Sequence, residues 1–276
     1  MSIARKGGNF IFQRMDRALV RLAAEANPEA VHSFRTTSRR LETLLLRLLP
    51  ACDRKQKKLL KLLGRIRRRA GRIRDLDVQL AALRGFKVPQ EPRRKTHLIQ
   101  ELIELRAQHE DKLRKLLKTR HLLEIQKRIK QASRTVKSAP MRDPLSVAKQ
   151  ILSSVSIRGP VNEEGLHRYR IAVKHSRYAA EFAVQSAEAR RFIEELKLLQ
   201  DALGNWHDWT ILTHTAAEHL GEVSQSSLVA ALHSVSRVKF RHALAAVSTS
   251  RAGAEALAPA TEKPAGKLQL MRANAA

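Results

Sequence analysis

Leucine, isoleucine and alanine recur at spacings of three and four residues along almost the whole chain, and alternating β-branched runs are missing. Residues with these spacings share one face of an α-helix, so the pattern predicts an all-α fold. Asn27 followed by Pro28 is typical of a helix start, Pro50 of a helix end, and Asp53 of a cap on the third helix. The predicted helices cover roughly residues 9–26, 28–49, 54–84, 92–136, 144–154, 162–185, 188–220 and 225–247.

Two proline-containing segments interrupt this periodicity. SAPMRDPLS at 138–146 predicts a joint between two halves, and SIRGPVNEEGLH at 156–167 predicts a second loop. From Arg251 onward the chain is rich in alanine, glycine and proline, which predicts a disordered tail over 251–276. We therefore expect a single domain over residues 1–250, with one half at about 9–137 and the other at about 144–248.

Charge narrows the class of partner. The 276 residues include 53 Lys or Arg against 26 Asp or Glu, a net charge of +27, and 43 % apolar residues, enough for a core. A charge of this size favours nucleic acid, phosphate polymers or acidic membranes as partners. It is uneven, because residues 1–140 carry a net +23 and residues 141–276 a net +4.

The chain offers little sign of export or membrane insertion. Cys52 is the single cysteine, so no intrachain disulfide can form, as is usual in a reducing compartment. No apolar run approaches the roughly 18 residues of a membrane span, and the first residues lack an apolar secretion segment. We therefore expect a cytoplasmic protein that does not act in a membrane.

Two segments of the chain predict similar cationic helices. They are VHSFRTTSRRLETLL at 31–45 and LHRYRIAVKHSRYAA at 166–180. Around the axis of the first predicted helix, with His32 set at 0°, Arg35 lies at about −60° and Arg39 at about −20°. These three residues form a stripe along the helix, and Arg40 lies outside it at about +80°. Arg170 and Lys174 repeat the first two positions after His167, and Arg177 falls at about −80°. The opposite side is apolar, so one face packs and the neighbouring stripe presents hydrogen-bond donors.

A second pair of blocks keeps the same order. RIRDLDVQL at 72–80 resembles NWHDWTILT at 205–213, with an offset of 133 residues against 135 for the histidines. Two matched blocks in nearly one register indicate an internal duplication, each copy a bundle of about four helices. With Arg74 at 0°, Arg67 lies at about 20° and Arg68 at about 120°, beside the apolar face. The stripe formed by Arg65, Arg69 and Arg72 points elsewhere and is interpreted as ordinary surface charge.

A stripe of cations is most often a solvated helix face. Here it occurs twice, each time led by a histidine, in a chain of high positive charge, which favours an anion site. Asp75, Asp77 and Asp208 could bind metal or transfer protons, but ion pairing with neighbouring cations is favoured, with Asp77 as a buried partner. The candidate anion-binding residues are His32, Arg35, Arg39, Arg40, Arg67, Arg68, Arg74, His167, Arg170, Lys174, Arg177, Lys197 and His207.

The four blocks VHSFRTTSRRL (31–41), RIRDLDV (72–78), LHRYRIAVKHSRYA (166–179) and LKLLQDALGNWHD (196–208) resemble the CHAD family, the conserved-histidine α-helical domain. The resemblance covers about residues 9–248. It implies two four-helix bundles related by a pseudo-two-fold axis, with a central basic cleft or pore. It also implies binding of inorganic polyphosphate and association with polyphosphate granules in some members.

Two positions depart from the family pattern. Glu42 stands where arginine is common, and Gly64 stands opposite Lys197. The E-x-E-x-K signature of the triphosphate-tunnel domain that many relatives carry does not occur in the sequence.

Three functions remain open on the sequence. The first is non-catalytic binding of polyphosphate, with no cofactor and no metal. The second is nucleic-acid binding, supported by net charge but not by the 4 % aromatic content. The third is a metal-dependent phosphohydrolase using His32, His167, His207, Asp75 and Asp208, which lack a compact ligand motif. Chain-length preference and oligomeric state are left open.

Overall fold

The computed structural model describes residues 3–87, 92–136, 139–155, 162–221 and 223–250, with side chains from Phe10 onward. All regular secondary structure in these ranges is helical, which confirms the predicted fold class. The helices are α1 (Ile3–Ala24), α2 (Pro28–Thr43), α3 (Arg54–Gly85), α4 (Pro92–Leu116), α5 (Thr119–Val136), α6 (Pro144–Ser153), α7 (Glu163–Ala180), α8 (Ala187–Leu220) and α9 (Ser227–Thr249). A π-helical turn, Leu44–Leu48, extends α2, and a 3₁₀ turn, Glu181–Ala183, extends α7. The tail from Arg251 lies outside the described residues.

Side-chain caps fix the starts of the helices that later carry charge. Asn27 Oδ1 accepts the Ala30 amide at 2.9 Å at the start of α2. Asp53 Oδ1 accepts the Gln56 amide at 2.8 Å, while Gln56 Oε1 accepts the Asp53 amide at 3.0 Å. This reciprocal pair is a capping box, and it confirms the predicted cap on α3.

The predicted helix over 92–136 is wrong in one respect, because the chain ends α4 at Leu116 and starts α5 at Thr119. No glycine or proline marks this break, and its cause is packing. Within these helices α4 buries Leu98, Leu102 and Leu113, whereas α5 buries Ile125, Ile129, Ala132 and Val136. On one straight helix the first set would lie at about 0–60° and the second at about 160–220°, so a single helix could not bury both.

Three apolar clusters hold the helices together. The largest joins α1, α2, the first half of α3, α5 and α6, and a second joins α6, α7, α8 and the end of α9. The third packs Leu80 of α3 and Leu98 of α4 with Leu212 of α8 and Leu228 of α9. The two halves of the chain therefore share a core, and α2 also packs on α7. Their relation by a two-fold axis stays a prediction.

Asp77 is the buried ion-pair partner that its position predicted. Its side chain is 6 % exposed and accepts a hydrogen bond from Arg106 Nε at 2.7 Å. Arg106 also donates to Glu110 at 2.8 Å and to the carbonyl of Ala26 at 2.9 Å. This guanidinium thus joins α3, α4 and the end of the segment before α2.

Candidate functional site

The donor stripe of α2 lies beside the helices that carry the other matched blocks. Val31, Phe34 and Leu41 are buried on the packed face, while Arg35 and Arg39 remain partly exposed. Helix α2 contacts α3 on one side and α7 on the other. The amphipathic pattern of α2 therefore directs its cations toward the junction of the two halves.

Helix α7 presents the second stripe in the same way. Tyr169 and Val173 are fully buried, and Arg170 and Lys174, each next in sequence, are partly exposed. The Nε of Arg170 is shielded from water and has no hydrogen-bond partner among the described residues. A shielded guanidinium donor of this kind is costly unless an acceptor is supplied.

Charges from four helices meet where these stripes converge. Burial raises the pKa of Asp75 on α3, and attraction to Arg35, Arg170 and Lys174 opposes that rise. Burial likewise raises the pKa of Asp208 on α8, opposed by Arg170, Lys174 and Arg74. We call these residues the central cluster: Arg35, Arg74, Asp75, Arg170, Lys174 and Asp208.

The central cluster has too few close ion pairs to satisfy its cations. Arg35 Nη2 lies 3.8 Å from Asp75 Oδ1, a long contact for an ion pair. Among the described residues, Arg74, Arg170 and Lys174 have no carboxylate within 4.0 Å. Yet the Asp75 side chain is 60 % exposed. Asp75 is therefore surrounded by the charged groups of other helices and still in contact with solvent.

Burial and mutual repulsion lower the pKa values of cations in this cluster. Burial, with Arg170, Arg35 and Arg39 nearby, lowers the pKa of Lys174 to about 8. Burial also lowers the pKa values of Arg35 and Arg170. A polyanion placed among these groups would relieve the repulsion and favour their charged forms.

Three of the predicted histidines lie at or near the cluster. The rings of His167 and His207 are 5.1 Å apart. Burial, then Arg170 and His167, lowers the pKa of His207 to about 4, so His207 is neutral at pH 7. Burial, followed by Arg74 and Arg35, lowers the pKa of His32. Neutral imidazoles can donate a hydrogen bond to an anion without adding charge.

Several predicted site residues are engaged in ion pairs outside the central cluster. Arg40 Nε donates to Glu181 at 2.5 Å, and Arg177 Nη1 lies 3.2 Å from the same carboxylate. Arg67 donates to Glu42 at 2.8 Å and to Ser38 at 3.1 Å, and Arg39 to Glu42 at 3.3 Å. Glu42, which stands where arginine is common in the family, therefore neutralises two arginines, Arg39 and Arg67.

Two other predicted residues lie apart from the cluster. Lys197 Nζ contacts Glu194 at 2.7 Å on the exposed side of α8. Arg68 lines a different concavity, with Arg65, Arg69 and Arg72. The converging set is therefore narrower than the thirteen residues that the sequence indicated.

The sequence interpretation missed two residues near the site. His175 lies close to Arg39 and Glu42, and burial, followed by Arg39, lowers its pKa. Tyr178 lies under the guanidinium of Arg177, 5.5 Å from its ring centroid, and under that of Arg40 at 5.9 Å. His175 stands 135 positions after Arg40, which is the offset of the internal repeat. Aligning the two copies would therefore have matched His175 with a predicted site residue.

The parts of the chain that the structure describes contain no group of three or more His, Cys, Asp or Glu placed to hold a metal ion. No helix in those same parts is long and apolar enough to cross a membrane.

In the described residues the protein is all-helical, and cations from both halves of the chain lie near one another. The chain belongs to the CHAD domain family, whose profile matches residues 11–217. Two solved structures share the fold. PptA from Streptomyces chartreusis has a TM-score of 0.65 and 16 % identity, over 88 % of this chain and 96 % of that one. The CHAD domain from the plant Ricinus communis has a TM-score of 0.57 and 19 % identity, over 89 % of this chain and 86 % of that one. No curated protein matched the sequence.

A glycine on α3 makes room for one of the central cations. A Cβ placed on Gly71 would collide with Arg35 Nη1, whereas a Cβ on Gly204, its counterpart on α8, would meet no described atom within 4 Å. We expect Gly71→Ala to push the Arg35 guanidinium aside and weaken anion binding by about tenfold, roughly one charge-assisted hydrogen bond. Its stability should stay within about 1 kcal/mol, because alanine favours the helix and Arg35 is flexible.

Gly204→Ala is the matched control for this substitution. It adds the same methyl group to a long helix and should leave anion affinity unchanged. Calorimetric titration and urea unfolding of both variants measure the two effects separately. Equal affinities for the two variants would show that the position of Arg35 does not matter.

Proposed function

We propose that the protein binds inorganic polyphosphate, without catalysis, through the central cluster. The observation that carries the proposal is the set of neighbouring cations from α2, α3 and α7, which have no carboxylate closer than 3.8 Å among the described residues. Arginine forks and the lysine ammonium match phosphate oxygens, which repeat along a polyphosphate chain. The carboxylates of Asp75 and Asp208 reduce the repulsion among the cations when no anion is bound, and they orient the guanidinium groups.

Family membership supports the same proposal. The CHAD domain family is associated with polyphosphate binding and metabolism, and its members are generally regarded as non-catalytic binding domains. The residues that converge here come from the four blocks that carry the resemblance to the family. Granule association and a cytoplasmic location remain expectations from the sequence.

The direct test is competition between long-chain polyphosphate and duplex DNA for the full chain at physiological salt. Net charge alone would favour both ligands, and the affinity for both should fall as salt rises. Polyphosphate and unlabelled DNA are each used to displace fluorescent DNA, and both concentrations are expressed in phosphate groups. We expect polyphosphate to displace the fluorescent DNA at a much lower concentration than unlabelled DNA does. A preference for DNA would instead support the nucleic-acid function.

The low pKa of Lys174 gives polyphosphate binding a distinctive pH dependence. Below about pH 8 the free protein already carries this charge, so the affinity should be nearly flat there. Above it the free lysine loses its proton, and an anion that raises the pKa must recover that proton on binding. Binding then takes up protons, so affinity falls as pH rises, by about tenfold at pH 9.

Lys174→Arg is the control for this pH effect, because arginine keeps its charge across the range. The variant should bind polyphosphate at pH 7 and lose most of the decline between pH 7 and pH 9. Titrations at fixed ionic strength measure both curves. An equal decline in the wild-type protein and the variant would assign the effect to another group.

A further inference from the structure

A second group of arginines lies on the opposite side of α3 from the central cluster. With Arg74 at 0°, Arg65, Arg68, Arg69 and Arg72 fall between about 120° and 220°. Their spacing of i, i+3, i+4 and i+7 places them side by side over two turns. Helix α3 therefore separates two cationic surfaces, and no residue of this stripe belongs to the central cluster.

The stripe lines a concave surface and not a flat one. Together with Leu116 of α4, the four arginines line a solvent-open concavity of about 270 Å³. Small-ligand pockets usually begin at about 300 Å³, so the space suits a compact ligand such as a short oligophosphate. Leu116 is the apolar residue in this lining, and the other four lining residues are arginines.

Helix α4 adds further nitrogen donors to the same edge. His109 lies close enough to Arg72, Lys112 and Arg69 for burial and these charges to lower its pKa. Its Nδ1 is shielded from water and has no hydrogen-bond partner among the described residues. This unsatisfied ring nitrogen therefore lies near the stripe, although His109 does not itself line the cavity.

The carboxylates that could neutralise the stripe are engaged elsewhere. On α4, Glu110 binds Arg106 and Arg114, and Asp111 contacts Arg114. Within the described residues, none of the four stripe arginines forms an ion pair or a side-chain hydrogen bond. Like charges at these spacings repel one another, so the arrangement costs stability when it is empty.

We propose that this cavity is a second anion site, which binds a condensed phosphate or a comparable multiply charged phosphate group. The four arginine forks of α3 match phosphate oxygens, and His109 and Lys112 of α4 lie near them. The site goes beyond the proposed function of the central cluster and does not depend on it. Its ligand can be the end of a long polyphosphate chain or a separate small phosphate compound.

The test uses the full chain and tripolyphosphate in a protein whose central cluster is disabled by Arg35→Gln, Arg170→Gln and Lys174→Gln. Adding Arg65→Gln, Arg68→Gln and Arg72→Gln should weaken tripolyphosphate binding by at least about tenfold in calorimetry. The matched control removes Arg14, Arg17 and Arg21, three exposed arginines of α1 with the same spacing. The control should change the affinity by less than about twofold, as long-range charge alone allows. Equal losses in the two variants, or no loss in either, would overturn the proposal.

A second measurement on the unmodified protein covers the case in which the variants fold poorly. Tripolyphosphate should protect Arg65, Arg68, Arg69 and Arg72 from phenylglyoxal, read by peptide mass spectrometry, and leave Arg14 and Arg17 reactive. Uniform reactivity with and without tripolyphosphate would count against the site.

The two possible ligand sources separate in titrations with long-chain polyphosphate. If the stripe substitutions weaken binding more when the central cluster is intact, one chain occupies both surfaces. If their effect is the same in both backgrounds, the stripe binds its own phosphate ligand. Both outcomes support the second site, and no effect in either background would contradict it.

Discussion

Replacing Arg35, Arg170 and Lys174 together with glutamine is expected to weaken long-chain polyphosphate binding by about 100- to 1,000-fold. Each hydrogen bond to a charged group contributes about 1.5–3 kcal/mol, and such contributions add incompletely when the groups share one ligand. A combined loss of about 3–4 kcal/mol corresponds to this change in affinity. Calorimetric titration at fixed salt measures it.

The same triple variant should also show a different salt dependence. Three fewer phosphate contacts release fewer counterions, so the slope of log K against log salt should become shallower by about 2–3, as for nucleic acids. The control is again the removal of Arg14, Arg17 and Arg21, which changes net charge equally on an exposed face of α1 outside the central cluster. An equal loss of affinity in the control would mean that net charge, not the central cluster, binds the polymer.

Arg106→Met is expected to destabilise the folded protein by about 3–5 kcal/mol, since it leaves a buried carboxylate without its partner. The Asp77 side chain is 6 % exposed, Arg106 donates to its Oδ1, and its Oδ2 has no hydrogen-bond partner among the described residues. The substitution also removes the donor to the Ala26 carbonyl. Urea unfolding followed by circular dichroism measures the free energy of unfolding.

Arg114→Met provides the comparison, because Arg114 forms similar ion pairs with Glu110 and Asp111 but is 69 % exposed. Exposed pairs contribute about 0–1 kcal/mol, so this variant should unfold almost as the wild type does. Combining Asp77→Leu with Arg106→Met should recover much of the lost stability, because no unpaired charge is then buried. Similar losses for Arg106→Met and Arg114→Met would contradict the structural role assigned to Asp77.

The sequence predicted the fold class and most helix boundaries, because apolar spacing and caps are local signals. It missed the break before Thr119, although the shift in phase between Leu113 and Ile125 was present in the pattern. That shift becomes meaningful only when both faces are required to be buried. Local periodicity therefore fixes which residues are buried more reliably than where a helix ends.

The candidate site was harder to predict for a different reason. Helical phase places Arg35 on one donor stripe and Arg170 and Lys174 on the other, and in the structure these three residues lie near one another. Their role in binding stays a prediction. Phase does not show that Arg40 meets Glu181, which lies 141 residues farther along the chain. Contacts at such separations depend on packing of whole helices, so the sequence could not divide the cations into paired and unpaired sets.

The division of the central cluster between the two halves also sets an order of events during synthesis. Residues 1–140 leave the ribosome first, with a net charge of +23 and with Arg35, Arg74 and Asp75 already made. Arg170, Lys174 and Asp208 follow only with the second half, and the long-range contact between Arg40 and Glu181 forms later still than the local helices. The nascent first half is thus a polycation that still lacks the second-half residues of the central cluster. The proposed polyphosphate site is complete only once the second half has docked.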